Sequence, residues 1–454
     1  MIAFWCEQAW VAGRGIQPRV RIEADDGGTI TAVTAGVDAA PADRRDLAGV
    51  VFPAAANAHS HAFHRLLRGR THDDGGDFWG WREEMYRAAR QLTPASYERL
   101  ATAVFTEMVV TGWTSVAEFH YVHHQPGGEP YGPNSGDING GEKHAMELAL
   151  CRAAVTAGIR LTLLDTCYLA GGIGAPLKPD QERFGDADAD AWLRRFTDLR
   201  RSVAEQFEPA FVTVGAALHS VRAVPEQALR TLAAGLPADV PLHIHLSEQP
   251  AENADCLKHY GTTPTGLLHR HGLLTDRLSA VHATHLTPED ITLVGAAGAT
   301  AVICPTTEAD LADGIGPARA LRDAGARIAL GTDQHAVIDP WLEMRALEHG
   351  ERLASGHRGR FAPADLLNAA TTGASRSMAT PVAAIRVGSP CDLVSIDQAS
   401  LRTAGSDPAQ LPLTATAADV TAVVVAGRVI ARDGQHLDLG DPAALLAATL
   451  EGHG

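Results

Sequence analysis

The feature that most constrains the fold of this chain is a long alternation of short apolar runs with helix-like stretches. Eight runs have the length and composition of buried strands. They lie at residues 51–53, 115–119, 160–164, 212–217, 242–246, 280–282, 301–304 and 328–330. Helical stretches separate most of them, for example residues 97–111, 142–157, 191–206 and 317–324. Eight strands that alternate with helices predict an α/β fold built on a (β/α)8 TIM-like barrel.

The two ends of the chain predict a second, smaller unit. Residues 20–22 and 30–33 have strand-like composition, and an Asp-Asp-Gly-Gly turn separates them. Residues 392–396 and 420–430 have similar composition, with Gly427 at the turn of a predicted hairpin. The expected domains are residues 1–52 with 385–440 as a small β-sandwich, 53–384 as the barrel, and 441–454 as a C-terminal helix or tail.

Composition limits the partners and the compartment that we expect. The chain of 454 residues has a net charge of −16, which argues against nucleic acid or an anionic membrane surface as a partner. An anionic substrate would therefore need a few basic residues that create a local positive pocket. The six cysteines form no CxxC pair, residues 1–11 lack a signal-peptide pattern, and no apolar run is long enough to span a membrane. We expect a cytoplasmic protein without a disulfide framework.

Histidine clusters follow several of the predicted strands. His59 and His61 come shortly after the first run, and alternate residues of an extended segment point to the same side. Both histidines can therefore reach one metal ion. His245 lies near the end of the fifth run, and Asp333 follows the last one. Because functional residues of such barrels lie at the carboxyl ends of the strands, these four side chains are candidate ligands.

Glu248 and Asp333 are candidates for proton transfer, and His282 is a further polar residue at a strand end. Glu248 follows His245 by three residues, and His282 ends the sixth run. A carboxylate beside a metal-bound water can carry its proton. Taken alone, each cluster has a plainer interpretation: loop histidines, packed barrel residues, or an ordinary turn at Asp333. The order of the clusters, each at a strand end, favours a zinc site with an open position for water.

Longer segments give a more specific indication. The order of the clusters resembles the amidohydrolase superfamily, in its cytosine-deaminase-like branch with one metal ion. Within that superfamily the chain resembles the formimidoylglutamate deiminases of histidine degradation. The similar segments are NAHSHAF at 57–63, FWGWREEMY at 78–86, EFHYVHH at 118–124, HSVRAV at 219–224, HLSEQ at 245–249 and CPTTEADLADG at 304–314. The metal motifs indicate only the superfamily, whereas the other segments favour this family.

The resemblance implies a role for each matching residue. The residues that would hold one zinc ion per chain are His59, His61, His245 and Asp333. Those that would move protons are Glu248, His282 and Asp333. Those that would bind the substrate are His64, Arg82, Tyr121, His219 and Arg222. Arginine suits the carboxylates of an acidic amidine. Without the match, a surface charge or a structural ion pair would be the favoured interpretation of either arginine.

The resemblance also implies a reaction. This is hydrolysis of N-formimidoyl-L-glutamate to N-formyl-L-glutamate and ammonia, by attack of a metal-bound hydroxide on the amidine carbon. Glu248 would carry a proton to the leaving nitrogen. The implied partner is a small acidic amidine rather than nucleic acid or a membrane, and the family leads us to expect a homodimer.

The chain departs from the family pattern at three places. His64 stands where the family carries glutamine, Gln334 stands where a small residue is expected, and the segment 65–77 is shortened. These differences keep open a second deaminase function in the same superfamily, on a guanine-like or triazine-like ring. A non-catalytic binding protein on the same fold is a further alternative, although every expected metal ligand is present.

Overall fold

The computed structural model describes residues 2–45, 47–71, 78–133 and 141–450. The side chains of residues 78 and 79, part of the FWGWREEMY segment, lie outside this description. Residues 72–77 of the shortened segment and residues 451–454 of the expected tail lie outside it as well. Within the described ranges, no helix combines the length and the apolar composition needed to cross a membrane.

The strands occur in two groups along the chain. In chain order they are β1 (Ile2–Val11), β2 (Gly15–Ala24), β3 (Ile30–Thr34), β4 (Val50–Pro53), β5 (Ala55–Ser60), β6 (Trp113–His120), β7 (Arg160–Cys167), β8 (Val212–Leu218), β9 (Leu242–Leu246), β10 (Leu278–His282), β11 (Thr300–Ile303), β12 (Arg327–Leu330), β13 (Leu393–Ile396), β14 (Val420–Val425), β15 (Arg428–Arg432) and β16 (Gln435–His436).

Helices connect most of the strands between β5 and β13. They are α1 (Phe78–Gln91), α2 (Pro94–Thr111), α3 (Ala145–Ala157), α4 (Ala189–Gln206), α5 (Glu226–Gly235), α6 (Pro250–Tyr260), α7 (Pro264–Arg270), α8 (Pro288–Ala296), α9 (Pro305–Asp310), α10 (Ala318–Asp323), α11 (Pro340–Ser355), α12 (Pro363–Asn368) and α13 (Ala374–Ser377), and α14 (Pro442–Leu450) follows the last strand.

The strands β5 to β12 form one parallel sheet in the order of the chain. A parallel bridge between Ser60 and Asp333 joins the ends of β5 and β12, so the sheet closes on itself. The predicted (β/α)8 barrel is therefore confirmed. Closure brings the carboxyl ends of all its strands to one face of the barrel.

The remaining strands form a separate sheet in the order β16-β15-β14-β13-β4-β1-β2-β3. β4 pairs in parallel with β1 and antiparallel with β13, so this sheet joins the two ends of the chain. Gly427 has a φ of 75° and lies at the turn between β14 and β15, where the sequence predicts it. The separate terminal β unit is thus confirmed, whereas the exact-residue domain limits given above stay predictions.

The prediction that residues 51–53 form the first barrel strand is wrong. These residues belong to β4 of the terminal sheet, and the first barrel strand is β5. Both strands are fully buried, so burial pattern does not distinguish them. β5 reads Ala-Ala-Asn-Ala-His-Ser, and these small and polar residues lack the β-branched composition by which strands are recognised.

Helix α2 shows how local signals set the position of a barrel strand. Thr93 and Ser96 form a capping box at its start, and Pro94 occupies the first turn. Gly112 ends the helix with a φ of 109°, a left-handed conformation that favours glycine. β6 begins at the next residue. The helix stop therefore fixes where the EFHYVHH segment reaches the barrel face.

A buried ion pair joins the barrel to the terminal sheet. Arg160 in β7 places Nε 2.9 Å from Asp392 Oδ2 and Nη2 3.2 Å from Asp392 Oδ1. The side chain of Asp392 is only 1% exposed, and it also accepts a hydrogen bond from Ala426 N at 2.7 Å. Because a buried carboxylate needs a compensating charge, Asp392 depends on this arginine.

Replacing Arg160 by Met should lower the free energy of unfolding by about 3 kcal/mol, since it leaves a buried carboxylate without its cation. Arg87→Met is the matched control, because Arg87 pairs with Glu84 on the exposed face of α1. That change should cost no more than about 0.5 kcal/mol. Chemical unfolding followed by circular dichroism measures both values, and equal losses would contradict the assigned role of the buried pair.

Candidate metal centre and active site

Four side chains assigned to a metal ion from the sequence converge at the carboxyl ends of the barrel strands. His59 lies in β5, and His61 is the first residue after this strand. His245 lies in β9, and Asp333 follows β12. The backbone at His61 is extended, with φ −126° and ψ 91°, which allows it to face the same way as His59. All four side chains are buried.

The ligand atoms of these residues lie close enough to share one ion. His245 Nε2 is 3.2 Å from His59 Nε2 and 3.3 Å from His61 Nε2. Asp333 Oδ1 is 3.2 Å from His59 Nε2 and 3.4 Å from His61 Nε2. All four atoms lie within 4.8 Å of one another. The structure therefore brings together the whole ligand set predicted from the sequence.

Backbone carbonyls determine which ring nitrogen carries the proton in two of the histidines. His61 Nδ1 lies 2.8 Å from Phe119 O, and His245 Nδ1 lies 2.9 Å from His219 O. A carbonyl only accepts hydrogen bonds, so Nδ1 donates and each neutral ring presents a lone pair at Nε2. Two lone pairs then face each other across 3.3 Å. A cation between them makes this arrangement favourable, and the donor set thus fits a metal ion.

Burial keeps these imidazoles in the form that binds metal. It lowers the pKa of His61 to about 3, with a further contribution from the neighbouring His59. It also lowers the pKa values of His59 and His245 well below their usual range. Neutral imidazole is the metal-binding form, so the ligands need lose no proton at neutral pH.

Hydrogen bonds across the seam of the barrel hold the first and last ligand segments together. Thr332 N and Asp333 N both donate to His59 O at 3.0 Å. His61 N donates to Asp333 O at 3.1 Å, and Asn57 Nδ2 donates to Thr332 Oγ1 at 2.7 Å. The separation between the ligands of β5 and the ligand after β12 is therefore set by the backbone.

A second set of buried contacts anchors the HxH segment to β6. Ser60 Oγ donates to Glu118 Oε2 at 2.5 Å, and Ala62 N donates to Glu118 Oε1 at 2.6 Å. Ser60 Oγ also lies 3.1 Å from His335 Nε2. Sequence reasoning assigned no role to Glu118 or His335. The available signal was an acidic residue inside an otherwise apolar strand, since such residues are rarely buried without partners.

The three residues expected to move protons lie around one point. His282 Nε2 is 3.7 Å from Glu248 Oε1 and 4.0 Å from Asp333 Oδ2, and His282 Nδ1 is 3.5 Å from Glu308 Oε1. Burial alone would lower the pKa of His282, but these carboxylates outweigh burial and raise it to about 10. A bound cation would oppose this effect. Because carboxylate oxygens lie near both of its ring nitrogens, His282 is placed to donate hydrogen bonds.

Backbone strain coincides with the strand ends that carry these residues. Ser247, His282 and Asp333 have φ values of 52°, 66° and 42°. A non-glycine residue in this left-handed region costs on the order of 1–3 kcal/mol, and such residues concentrate at functional sites. Ser247 directly precedes Glu248 in the chain. His282 and Asp333 are themselves candidate site residues.

A cavity beside the ligand atoms contains the five predicted substrate residues. They are His64, Arg82, Tyr121, His219 and Arg222. Trp81 and Met85 line the same cavity, although sequence reasoning gave them no role. Both stand in the FWGWREEMY segment, which was the available signal. The structure therefore groups every predicted substrate residue with the metal ligands.

Arg82 reaches the cavity from helix α1 along an aromatic wall. Its Nη2 lies 3.3 Å from Tyr168 OH, and its guanidinium lies 5.3 Å from the centre of the Tyr86 ring. Gln181 Nε2 lies 2.9 Å from the same Tyr168 oxygen. Sequence reasoning missed Tyr168, which directly follows β7. Its place at the carboxyl end of a barrel strand could have revealed it.

Arg222 is held between two glutamates. Its Nη2 lies 3.3 Å from Glu248 Oε2, and its Nε lies 3.2 Å from Glu252 Oε2. These contacts resemble a structural ion pair, the alternative stated for this arginine above. A guanidinium has five N–H donors, however, so Arg222 can keep both contacts and still donate to a ligand in the cavity.

Known proteins with related sequences and structures place the chain in a family. Residues 50–430 match the Amidohydrolase family. The chain is 35% identical to the formimidoylglutamate deiminase of Pseudomonas aeruginosa, over 96% of each protein. Its structure is similar to that of an amidohydrolase from Brucella melitensis (TM-score 0.89, 32% identity, 100% and 99% covered). It is also similar to an adenosine deaminase from Xanthomonas campestris with bound zinc (TM-score 0.82, 26% identity, 100% and 97% covered).

The chain therefore belongs to the amidohydrolase family. It is a hydrolytic enzyme that acts on a carbon–nitrogen bond of a small molecule. The resemblance to the formimidoylglutamate deiminases, which the sequence motifs indicate, is confirmed by the Pseudomonas relative. The roles of the individual site residues stay predictions.

Replacing His245 by Asn should weaken metal binding at this centre, because it removes one of the four donors. The loss should exceed the roughly 10–100-fold that is typical when a residue hydrogen-bonded to a ligand is replaced. His243→Asn is the matched control in the same strand, since His243 Nε2 contacts Ser377 O at 2.9 Å instead of a ligand residue. Competition with a chromophoric chelator measures both affinities. Equal affinities would show that His245 is not a ligand.

Proposed function

We propose that this enzyme hydrolyses N-formimidoyl-L-glutamate to N-formyl-L-glutamate and ammonia, with one zinc ion in its active centre. The ligands of this ion would be His59, His61, His245 and Asp333. The observation that carries the proposal is the presence of two arginines, Arg82 and Arg222, in the cavity beside this ligand set. The 35% identity to the Pseudomonas formimidoylglutamate deiminase supports the same substrate.

The spacing of the ligand atoms supports zinc. In a tetrahedral zinc site with bonds of about 2.0–2.1 Å, neighbouring donors lie roughly 3.3 Å apart. The separations given above are 3.2 to 3.4 Å. The related adenosine deaminase contains bound zinc. When bound, such an ion lowers the pKa of water toward about 7 and polarises the group under attack.

The charges in the cavity match the two ends of this substrate. Formimidoylglutamate has two carboxylates and one cationic amidine near neutral pH. Arg82 and Arg222 would bind the carboxylates, for which the planar guanidinium provides paired hydrogen bonds. Glu248 and Asp333 would face the amidine, because both lie near His282 at the ligand end of the cavity. This orientation brings the amidine carbon to the metal ligands.

Polar and aromatic side chains would position the substrate between these two ends. His64 Nε2 lies 3.0 Å from Tyr121 OH, and the ring centres of His219 and Tyr168 are 4.5 Å apart. His64 replaces the glutamine of the family. A neutral imidazole, like a glutamine amide, has both a donor and an acceptor, so the replacement keeps hydrogen bonding at this position.

Glu248 and Asp333 would move the two protons of the attacking water. Glu248 takes the first proton and delivers it to the amidine nitrogen, so that ammonia rather than an amide ion leaves. A carbon–oxygen bond forms and the carbon–nitrogen bond breaks. Asp333 accepts the second proton as the formyl carbonyl forms. His282 donates a hydrogen bond to the new oxygen, where negative charge develops.

The alternative function is deamination of a guanine-like or triazine-like ring. The similarity to the adenosine deaminase from Xanthomonas favours it, as does the aromatic character of Trp81 and Tyr121 in the cavity. The two arginines favour the dicarboxylate, since a neutral ring offers them hydrogen-bond acceptors but no negative charge. The homodimer and the cytoplasmic location expected from the resemblance stay predictions.

Ammonia release by the zinc-loaded enzyme tests the substrate. Formimidoylglutamate should be hydrolysed with a kcat/KM roughly 10–200-fold above that of formimidoylaspartate, which is one methylene shorter. Guanine should release no ammonia. Release from guanine but not from formimidoylglutamate would establish the alternative function.

The same assay tests carboxylate binding through Arg82→Met. The variant should have a lower kcat/KM than the wild type with formimidoylglutamate. Two analogues, each of which lacks one of the two carboxylates, are then compared. With the analogue that lacks the carboxylate bound by Arg82, the variant and the wild type should differ little. Arg87→Met, on the same helix but exposed, should leave the activity unchanged. An equal loss with both analogues would show that Arg82 does not bind a carboxylate.

Glu248→Gln should lower kcat by a factor of about 10² or more, because glutamine cannot transfer the proton. Its zinc content should stay that of the wild type, since Glu248 is not among the four proposed ligands. Glu289→Gln, an exposed change at the start of α8, is the control and should have wild-type activity. Steady-state kinetics with metal analysis measures both effects. Near-normal turnover of Glu248→Gln would remove Glu248 from the mechanism.

A further inference from the structure

A second buried group of metal-type ligands lies at the end of β6, outside the cavity described above. His120 is the last residue of β6, His123 follows three residues later, and Glu147 lies in α3. One nitrogen or oxygen atom of each residue lies within 4.8 Å of the other two. Each residue is at most 3% exposed. The proposed reaction uses none of them.

His123 presents a lone pair to this group, for the same reason as the ligands of the active centre. Its Nε2 lies 2.9 Å from Thr166 O, and a carbonyl only accepts, so Nε2 carries the proton. In the neutral ring, Nδ1 then points its lone pair at Glu147 Oε1, 2.8 Å away. His61 and His245 have the same arrangement, with one nitrogen on a carbonyl and the other facing acceptors. A proton or a metal ion must lie between His123 and Glu147.

Several other polar atoms of the group have no hydrogen-bond partner among the described residues. His120 Nε2, Glu147 Oε2 and Asp165 Oδ2 are all in this position. His120 Nε2 is 3.5 Å from Glu147 Oε1, which is long for a hydrogen bond. Each unsatisfied buried polar group costs about 1–3 kcal/mol. One shared cation would satisfy more of these atoms than one proton between His123 and Glu147.

The buried charges around the group also favour a cation. Arg195 Nη1 lies 2.7 Å from Asp165 Oδ1 and 3.5 Å from Glu147 Oε1, and Arg195 Nη2 lies 3.0 Å from Asp186 Oδ2. One guanidinium therefore faces three carboxylates, which leaves two negative charges when the imidazoles are neutral. Two imidazolium rings would balance them, but burial lowers the pKa of His120. A divalent cation balances them without charging a buried ring.

A cavity of about 460 Å³ lies beside this group, and His123, Glu147 and Asp186 form part of its wall. Arg195 also lines this cavity. An ion in this cavity would therefore lie next to two of the three residues, as an exchangeable metal site requires.

We propose that His120, His123 and Glu147 bind a second divalent metal ion, with Asp165 as a further oxygen ligand. Two imidazoles with carboxylates suit zinc or a similar first-row ion. The ion joins the end of β6 to β7 and α3. It thereby holds Phe119, the residue before His120, whose carbonyl oxygen orients His61 in the active centre. The second ion is structural and takes no part in the proton transfers.

The zinc content of the full-length protein tests this proposal. The protein is stripped with a chelator, reloaded with excess Zn²⁺, desalted, and analysed by mass spectrometry of the metal against protein concentration. The wild type should hold two zinc ions per chain, and His120→Asn should hold one. His124→Asn is the matched control, since His124 lines the same cavity without belonging to the ligand group, and it should hold two.

Two further variants keep the result interpretable. Glu147→Gln should also hold one ion, and it replaces His120→Asn if that variant fails to fold as judged by circular dichroism. His245→Asn should lose the active-centre ion and keep the second one, which separates this proposal from the proposed function. One zinc ion per folded wild-type chain would overturn the proposal and leave a proton between His123 and Glu147. Two ions in both His120→Asn and Glu147→Gln would overturn it as well.

Discussion

The hydrogen bonds that close the barrel are the constraint on which the active site depends. His59 O accepts from Thr332 N and Asp333 N, and His61 N donates to Asp333 O. The residues that close the sheet are therefore the residues proposed to bind the metal ion. A shift of β12 against β5 would separate Asp333 from the histidines by the same amount. Fold closure and ligand geometry are thus a single requirement, and Asn57 reinforces it through Thr332.

The fold positions the candidate metal ligands around one point. Burial keeps the imidazoles neutral, and carbonyl oxygens on Nδ1 direct the lone pairs of His61 and His245 toward that point. A cation between these lone pairs makes the buried arrangement favourable. Positive φ values at His282 and Asp333 add backbone strain at the same place.

In this acidic chain, two guanidinium groups line the cavity beside the candidate metal ligands. Arg82 lies along an aromatic wall and Arg222 lies between Glu248 and Glu252, and these contacts orient both guanidinium groups. The contact between Arg222 and Glu248 links carboxylate binding to the proposed proton carrier. Substrate that draws Arg222 away from Glu248 would change the surroundings of that carboxylate. In the proposed reaction, this ion pair would couple carboxylate binding to proton transfer.

The sequence by itself determined the barrel, the terminal β unit and which four residues are the candidate metal ligands. Strand-length apolar runs and the i, i+2 spacing of His59 and His61 are local patterns, and parallel strands bring their carboxyl ends to one face. Only the tertiary structure decided that residues 51–53 leave the barrel for the terminal sheet, because the choice depends on pairing with β1 and β13. It also placed Tyr168 beside Arg82 and Glu147 beside His123. Those contacts join residues far apart in the chain, and no local period encodes which side chains long-range packing brings together.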